Sequence, residues 1–223
     1  MKILAIETST ELCSAALWLD GDTDAREVIA GVRNSELVLP LVDALLVAHG
    51  LAAGDLDGIA FGAGPGSFTG LRIACGVAQG IAFGAGLPVV GVGTLLALAA
   101  AVRAERVVCC LDARMGEIYH GAYVKSRDGW QVVHEPSLCK PDAAPELPAG
   151  AWTGCGSAFS VYRDALERRY AHALAGVSEN LAPHAREIAA LAAPEFARGN
   201  GVSADLAAPL YVRNKIALRV DER

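Results

Sequence analysis

Two carboxylates and one glycine-rich stretch are the residues of this chain whose type and setting could do chemistry. Glu7 closes an apolar run at residues 2–6 and is followed by the polar turn Thr8-Ser9-Thr10, while Asp112 closes a second apolar run at residues 107–111. Acids that end equivalent strands can face each other across a cleft, and a carboxylate pair there can hold a magnesium–nucleotide complex. The same residues also have a local use, because an acid at a strand end caps the following turn by accepting a backbone N–H. Both readings stand at this point. The stretch Gly62-Ala63-Gly64-Pro65-Gly66-Ser67-Phe68-Thr69-Gly70 lies between an apolar run and a helical pattern, where free N–H groups attract anions. It is not a Walker A loop, since Leu71-Arg72 follows Gly70, and Thr69 stands in place of the third glycine of G-x-G-x-x-G. A tight strand-to-helix turn accounts for it as well.

No other constellation supplies a reactive group. His49, His120, His134, His172 and His184 stand singly, and none pairs at i, i+4 on an expected helix. Cys13, Cys75, Cys109, Cys110, Cys139 and Cys155 show no CxxC spacing and read as free thiols of a reducing cytoplasm, without a zinc site. No serine sits in a G-x-S-x-G elbow. The 53% hydrophobic and 20% charged composition is rich for a soluble monomer and suggests apolar surface covered by another chain. Residues 1–103 carry 5 basic and 10 acidic side chains, residues 104–223 carry 14 and 15, and the net charge is −6. A protein that grips a polyanion alone shows a basic face, so a partner is expected to supply most contacts to any nucleic acid. The uncharged run at residues 73–102 is broken by Gly86-Leu87-Pro88 into helix, turn and strand, so no membrane span is expected. Glu7 interrupts the N-terminal apolar stretch, which argues against a secretory signal.

The elements that must position these residues follow from the pattern. Residues 2–6 form a short strand, and residues 13–19 form a second that closes at Asp20-Gly21, a hairpin signal. Residues 107–111 and 118–124 repeat the pair at an offset of 105: Ile3 with Val108, Glu7 with Asp112, Cys13 with Ile118, Leu19 with Val124. Two copies that each open a half of similar length indicate a duplicated fold. Ser35 is expected to cap a helix from about residue 36 to 49, with Leu37, Leu41, Leu45 and Ala48 on one face and Pro40 marking a kink or later start. A strand at 57–61, a helix at about 69–84, a strand at 88–92 and a helix from about 94 to 103 complete the first half. In the second half, four prolines within 136–150 mark a surface connection, and 151–153 is a strand entering Gly154-Cys155-Gly156-Ser157. A helix to about residue 170, a helical stretch at 183–193 and a tail at 209–223 follow. Strands and helices alternate in both halves, which makes the class α/β.

Met1-Lys2-Ile3-Leu4-Ala5-Ile6-Glu7-Thr8-Ser9-Thr10 resembles the opening of the TsaB and TsaD proteins, and Gly64-Pro65-Gly66-Ser67-Phe68-Thr69-Gly70-Leu71-Arg72-Ile73 is similar to the signature of the TsaB (YeaZ) family. Leu111-Asp112-Ala113-Arg114 with Glu117-Ile118-Tyr119 resembles the start of that family's second lobe, and Pro209-Leu210-Tyr211-Val212-Arg213 its tail. The resemblance implies an actin-like (ASKHA, RNase H-like) fold of two related lobes, the second reduced, divided here at 1–103 and 104–223. It implies a non-catalytic subunit that pairs with TsaD, with the ATPase TsaE completing the complex, for threonylcarbamoylation of adenosine 37 in tRNAs reading ANN codons. In TsaD a His-x-x-x-His pair binds metal after the strand that corresponds to 88–92; Thr94 and Leu98 stand there, and neither can replace an imidazole on a metal. No cofactor is therefore expected, and tRNA is expected to bind only through the complex. Many relatives carry a histidine where Asn34 stands here.

Glu7, Thr8, Ser9, Thr10 and Asp112 read on this basis as the remnant of a nucleotide loop. A small phosphotransferase of the same fold is the alternative, although Thr8 stands where such kinases pair glycine with the acid; a metallopeptidase lacks both histidines. On the helix at about 69–84, Gly76, Gly80 and Gly84 recur every four residues beside the stripe Ile73, Val77 and Ile81. Helix glycines cost about 1 kcal/mol each against alanine, so close helix approach is the expected compensation, either within the lobe or to a partner. The family pairs through its first two helices, as homodimers and with TsaD. That implies an interface of Leu37, Leu41, Leu45, Leu71, Ile73, Val77 and Ile81, with the glycines setting the spacing.

Overall fold

A computed structural model describes residues 1–127 and 129–212. Strand β1 (Lys2–Glu7) carries Ile3, Leu4, Ala5 and Ile6 without exposure on either face, as a central strand covered by helices on both sides requires. It pairs antiparallel with β2 (Leu12–Leu19), which turns through Asp20 and Gly21, both at positive φ, into the polar edge strand β3 (Asp22–Ile29). Strands β4 (Gly58–Gly64) and β5 (Val89–Gly93) add in parallel on the other side of β1, giving the order β3-β2-β1-β4-β5. The second sheet repeats this with β6 (Arg106–Asp112), β7 (Ile118–Ser126), β8 (Gly129–Cys139), β9 (Trp152–Cys155) and β10 (Leu174–Ser178), in the order β10-β9-β6-β7-β8. The chain is thus an α/β protein of two sheets with one topology.

The register refines the duplication. Glu7 faces Ser14 and Asp112 faces Ile118, so the offset of 105 in the first strand becomes 104 in the second, and Ser14 rather than Cys13 corresponds to Ile118. The second turn is one residue shorter. Both sheets keep five strands; the reduction of the second half lies in its helices, α4 (Ala158–Val161) and α5 (Arg163–Arg169).

Helices α1 (Asn34–Ala48) and α2 (Phe68–Ala85) cover one face of the first sheet. α1 starts two residues before the expected position, Ser35 makes no cap, and its buried line is Asn34, Val38, Val42 and Leu45, with Leu37 and Leu41 on its flank. α2 is capped by Ser67, whose Oγ accepts from Gly70 N at 3.3 Å, and stops at Gly86 in the left-handed region. By length and composition alone α2 could cross a membrane, but Ala74, Cys75, Ala78 and Ala82 pack in the core of the first lobe. α3 (Thr94–Ala101) lies between the lobes, with Ala97 in the core of the first and Leu95, Leu98 and Ala99 in that of the second.

Three expectations are corrected. Pro136 lies inside β8, an edge strand that tolerates its missing N–H, rather than in a surface connection. The helix expected to reach residue 170 is broken at Tyr162 into α4 and α5, and β10 follows where no strand was foreseen. A division at 103/104 puts α6 (Ala185–Ala197) in the second lobe, yet Ala185, Ile188, Ala189 and Ala192 pack with Ile3, Ala5, Ala16 and Ala60 of the first sheet. Its alanine-rich face is what lets it lie flat on those small strand residues. Of the tail expected at 209–223, residues 213–223, including Arg213, lie outside the described residues.

Candidate functional site

The turn at residues 7–10 is built around a buried acid. Glu7 has no exposure; its Oε1 accepts from Ser9 N at 2.5 Å, and Oε2 has no hydrogen-bond partner. Burial drives its pKa up, against hydrogen bonds from Ser9 and Thr8 that lower it. The carboxylate lies over Gly62, where any Cβ would overlap Oε2. The glycine loop grips the rest of the turn. Thr8 Oγ1 donates to Gly70 O at 2.8 Å, Ser67 N donates to Ser9 O at 2.8 Å, and a Cβ at Gly70 would overlap Thr8 O. From α1, Asn34 Nδ2 donates to Thr10 O at 3.1 Å and Thr8 O at 3.4 Å. These glycines are there to let backbone and carboxylate approach.

Asp112 closes β6 in a more open setting. Its Oδ1 accepts from Arg114 N at 2.9 Å and from Tyr162 Oη at 3.2 Å, and its Oδ2 lies 3.3 Å from Arg114 Nη1. Arg114 also reaches Glu11 Oε1 of the first lobe at 3.5 Å, so one guanidinium spans the two halves. Both acids accept the N–H two residues on, which is the capping reading. They do not face each other: Asp112 lines the cleft between the sheets, while Glu7 is sealed beneath it. The cleft, about 830 Å³, has Ser9, Thr10, Asn34 and Ser67 on one wall and Asp112, Arg114 and Ser157 on the other, with Val32, Met115 and Val161 at its apolar rim.

On the outer side of α2, Gly76, Gly80 and Gly84 are exposed, and a Cβ on any of them would meet none of the described residues within 4 Å. Ile73, Val77 and Ile81 are half-buried beside them and Phe83 is 84% exposed; on α1, Leu37 and Leu41 are half-buried. Leu45 and Leu71 offer no surface, because the core of the first lobe encloses Leu45 and Leu71 lies 3.0 Å from the space a Cβ on Gly64 would fill. Another flank of α2 is covered by a C-terminal strap: Ala207 O accepts from Gln79 Nε2 at 2.9 Å, and Tyr211 Oη accepts from Arg72 Nε at 3.0 Å while Arg72 lies over the Phe68 ring.

Thr94 and Leu98 are both fully buried, and among the described residues no three His, Cys, Asp or Glu side chains converge as metal ligands. Sequence reading gave no role to Asn34, Arg114 or Tyr211. Asn34 stood out only as the place where many relatives carry a histidine, and the other two act through contacts distant in sequence.

A family model described as TsaD, tRNA N6-adenosine threonylcarbamoyltransferase, matches residues 28–218. The chain is 37% identical over 225 residues to the tRNA threonylcarbamoyladenosine biosynthesis protein TsaB of Escherichia coli (strain K12), covering 97% of this chain and 96% of that protein. Among solved structures, YeaZ from Pseudomonas aeruginosa is similar with a TM-score of 0.86 at 36% identity, covering 94% of this chain and 99% of that one. A second, described as an uncharacterized protein with similarity to peptidase YEAZ from Pseudomonas aeruginosa, gives 0.83 at 35% identity over 95% and 99% of the two chains.

Proposed function

The chain belongs to the TsaB (YeaZ) family of tRNA threonylcarbamoyladenosine biosynthesis proteins, and from that premise we propose that it is a non-catalytic subunit that pairs with TsaD. In this reading it holds TsaD competent to transfer threonylcarbamoyl to adenosine 37 of tRNAs reading ANN codons, with TsaE completing the complex. The observation that carries the proposal is the open glycine face of α2. Three glycines inside one helix cost about 1 kcal/mol each, and among the described residues nothing lies within 4 Å of the positions their Cβ atoms would take. A helix from a second chain, lying close along that face beside Ile73, Val77, Ile81, Leu37 and Leu41, supplies the compensation.

Other features fit an accessory role in the cytoplasm. Glu7 is sealed away from the cleft that Asp112 lines, so the two carboxylates do not form a facing pair to hold a magnesium–nucleotide complex. Thr94 and Leu98, at the places of the metal-binding histidines, are core residues. The acidic first half favours tRNA contact through the complex over binding by the chain alone.

The test is co-expression with a TsaD protein, gel filtration and a tRNA modification assay, comparing wild type with Gly80→Leu. A Cβ there meets no described residue within 4 Å, so the variant is expected to fold, and overpacking of about 1–3 kcal/mol at the interface weakens the complex about 5- to 150-fold. Wild-type affinity in a folded Gly80→Leu protein refutes the assigned surface.

A further inference from the structure

Both helices of the proposed partner surface begin at the same four-residue turn. α1 starts with Asn34, whose buried carboxamide donates to Thr10 O and Thr8 O. α2 starts just after Ser67, whose N–H donates to Ser9 O, and its third residue, Gly70, accepts from Thr8 Oγ1. The fit at Gly70 admits no side chain. On the outer side of α2, by contrast, the glycines touch nothing among the described residues that would fix the distance to a neighbouring helix. An asparagine that is 5% exposed is costly unless its hydrogen bonds are worth keeping; here the Oδ1 has no partner, and both contacts are donations to the turn. Thr8 stands at the centre, tied to α1 through its carbonyl and to α2 through its hydroxyl.

We propose that Asn34 is a positioning residue for partner binding: through the turn at residues 7–10 it fixes the start of α1 against the start of α2, and so sets the shape of the surface that a partner chain meets. This inference rests on the reading of α1 and α2 as that surface. It also gives the turn a present use that needs no nucleotide. The buried acid, the glycine cradle and the two helix starts form one rigid joint.

The experiment uses the full chain and a TsaD protein as titrant. Asn34→Ala cuts the tie from the α1 side, and Thr8→Val, which keeps the shape, cuts the hydroxyl bond on the α2 side. Leu166→Ala is the control, a fully buried residue of the second lobe whose loss lowers stability without touching the turn. Asn34→Ala and Thr8→Val are each expected to weaken partner binding about tenfold, the scale of one or two lost buried hydrogen bonds, while Leu166→Ala binds like wild type. In the free chain, amide exchange in the first turns of α1 and α2 quickens for the two turn variants and not for the control. Wild-type affinity in folded Asn34→Ala and Thr8→Val proteins overturns the proposal, and so does an equal loss in Leu166→Ala, because stability alone then accounts for it. If Gly80→Leu also binds like wild type, the surface reading has failed by itself. Exchange then decides the joint: unchanged rates in both turn variants overturn it as well.

Discussion

The turns after β1 and β6 occupy the same place in two sheets of identical strand order, and each carries an acid that caps the N–H two residues on. Around that shared bond the surroundings diverge. Glu7 lies buried over Gly62 of the glycine loop, with one oxygen left without a partner and Asn34 bonded to the turn that follows, whereas Asp112 meets the cleft and an arginine. Duplication thus preserved the backbone device and changed what lies over it. In the first lobe the cover is the starts of α1 and α2, two long helices; in the second it is Ser157 and Tyr162, at the two short helices α4 and α5. The difference locates rigidity: the first turn is a packed joint and the second a solvent-facing bridge.

The largest effect that can break this comparison comes from the glycines. Gly70→Ala forces a methyl into Thr8 O, where backbone must move, and is expected to cost 3 kcal/mol or more, on the order of the upper range for overpacking. Gly76→Ala, six residues further on the open face, is expected to stabilise the isolated chain by about 1 kcal/mol through helix propensity. Chemical denaturation of the two variants separates them. If Gly70→Ala unfolds at the wild-type midpoint, the joint is not packed as described.

How much of this was legible in the sequence depends on whether the signal was local. The strands that end in Glu7 and Asp112 announced themselves as apolar runs closed by an acid, and the Asp20-Gly21 hairpin followed from its turn residues. The glycine loop was readable as a strand-to-helix turn, but that its glycines accommodate Glu7 and Thr8 was not, since those contacts span some 55 to 62 residues. The one-residue shift in the second hairpin was invisible because both apolar patterns tolerate either alignment. α6 was legible as a helix, yet its return to the first sheet is a tertiary choice made by alanines that would fit many surfaces. Asn34 stood out as a departure from many relatives but received no role, because only the fold reveals two carbonyls above it.

The lobes also differ in how they answer acid. His120, paired with Cys110 on β6, is fully buried with neither ring nitrogen bonded, and burial, with His134 nearby, pushes its pKa down from 6.5 to about 4. Protonation then favours the unfolded chain, so the stability that His120 contributes is complete above pH 6.5 and is lost as pH falls towards 4. The total is about 3 kcal/mol, at 1.36 kcal/mol per unit. Glu7 has the opposite sign. Its pKa is raised from 4.5 by burial, so its contribution is complete below 4.5 and is lost as pH rises through the folded value. His120→Leu is expected to remove the acid loss, and Glu7→Gln to remove the opposing gain, in denaturation curves taken from pH 7 to 4. An acid loss that persists unchanged in His120→Leu would break the contrast between a second lobe weakened by acid and a first lobe relieved by it.

The smallest expected effect concerns the bridge itself. Arg114 is 77% exposed, and it lies 3.3 Å from Asp112 and 3.5 Å from Glu11, itself 72% exposed. Long side chains held in water gain little from such pairs, because ordering them costs entropy and solvent screens the attraction. Arg114 sits at a φ of 62° and Met115 at 58°, conformations suited to a tight connection between twisted strands, so the turn holds its shape through its own backbone bonds, Ala113 N to Glu117 O and Glu117 N to Arg114 O. Removing the guanidinium leaves those bonds and the cap on Asp112 intact. Arg114→Ala is therefore expected to change stability by no more than about 1 kcal/mol, and a double-mutant cycle with Glu11→Gln to give a coupling of about 0.2–1 kcal/mol that shrinks as salt shortens the screening length. A coupling well above 1 kcal/mol that survives high salt would mean that the bridge between the lobes is as firm as the joint at Glu7, and the distinction between the two turns would fall.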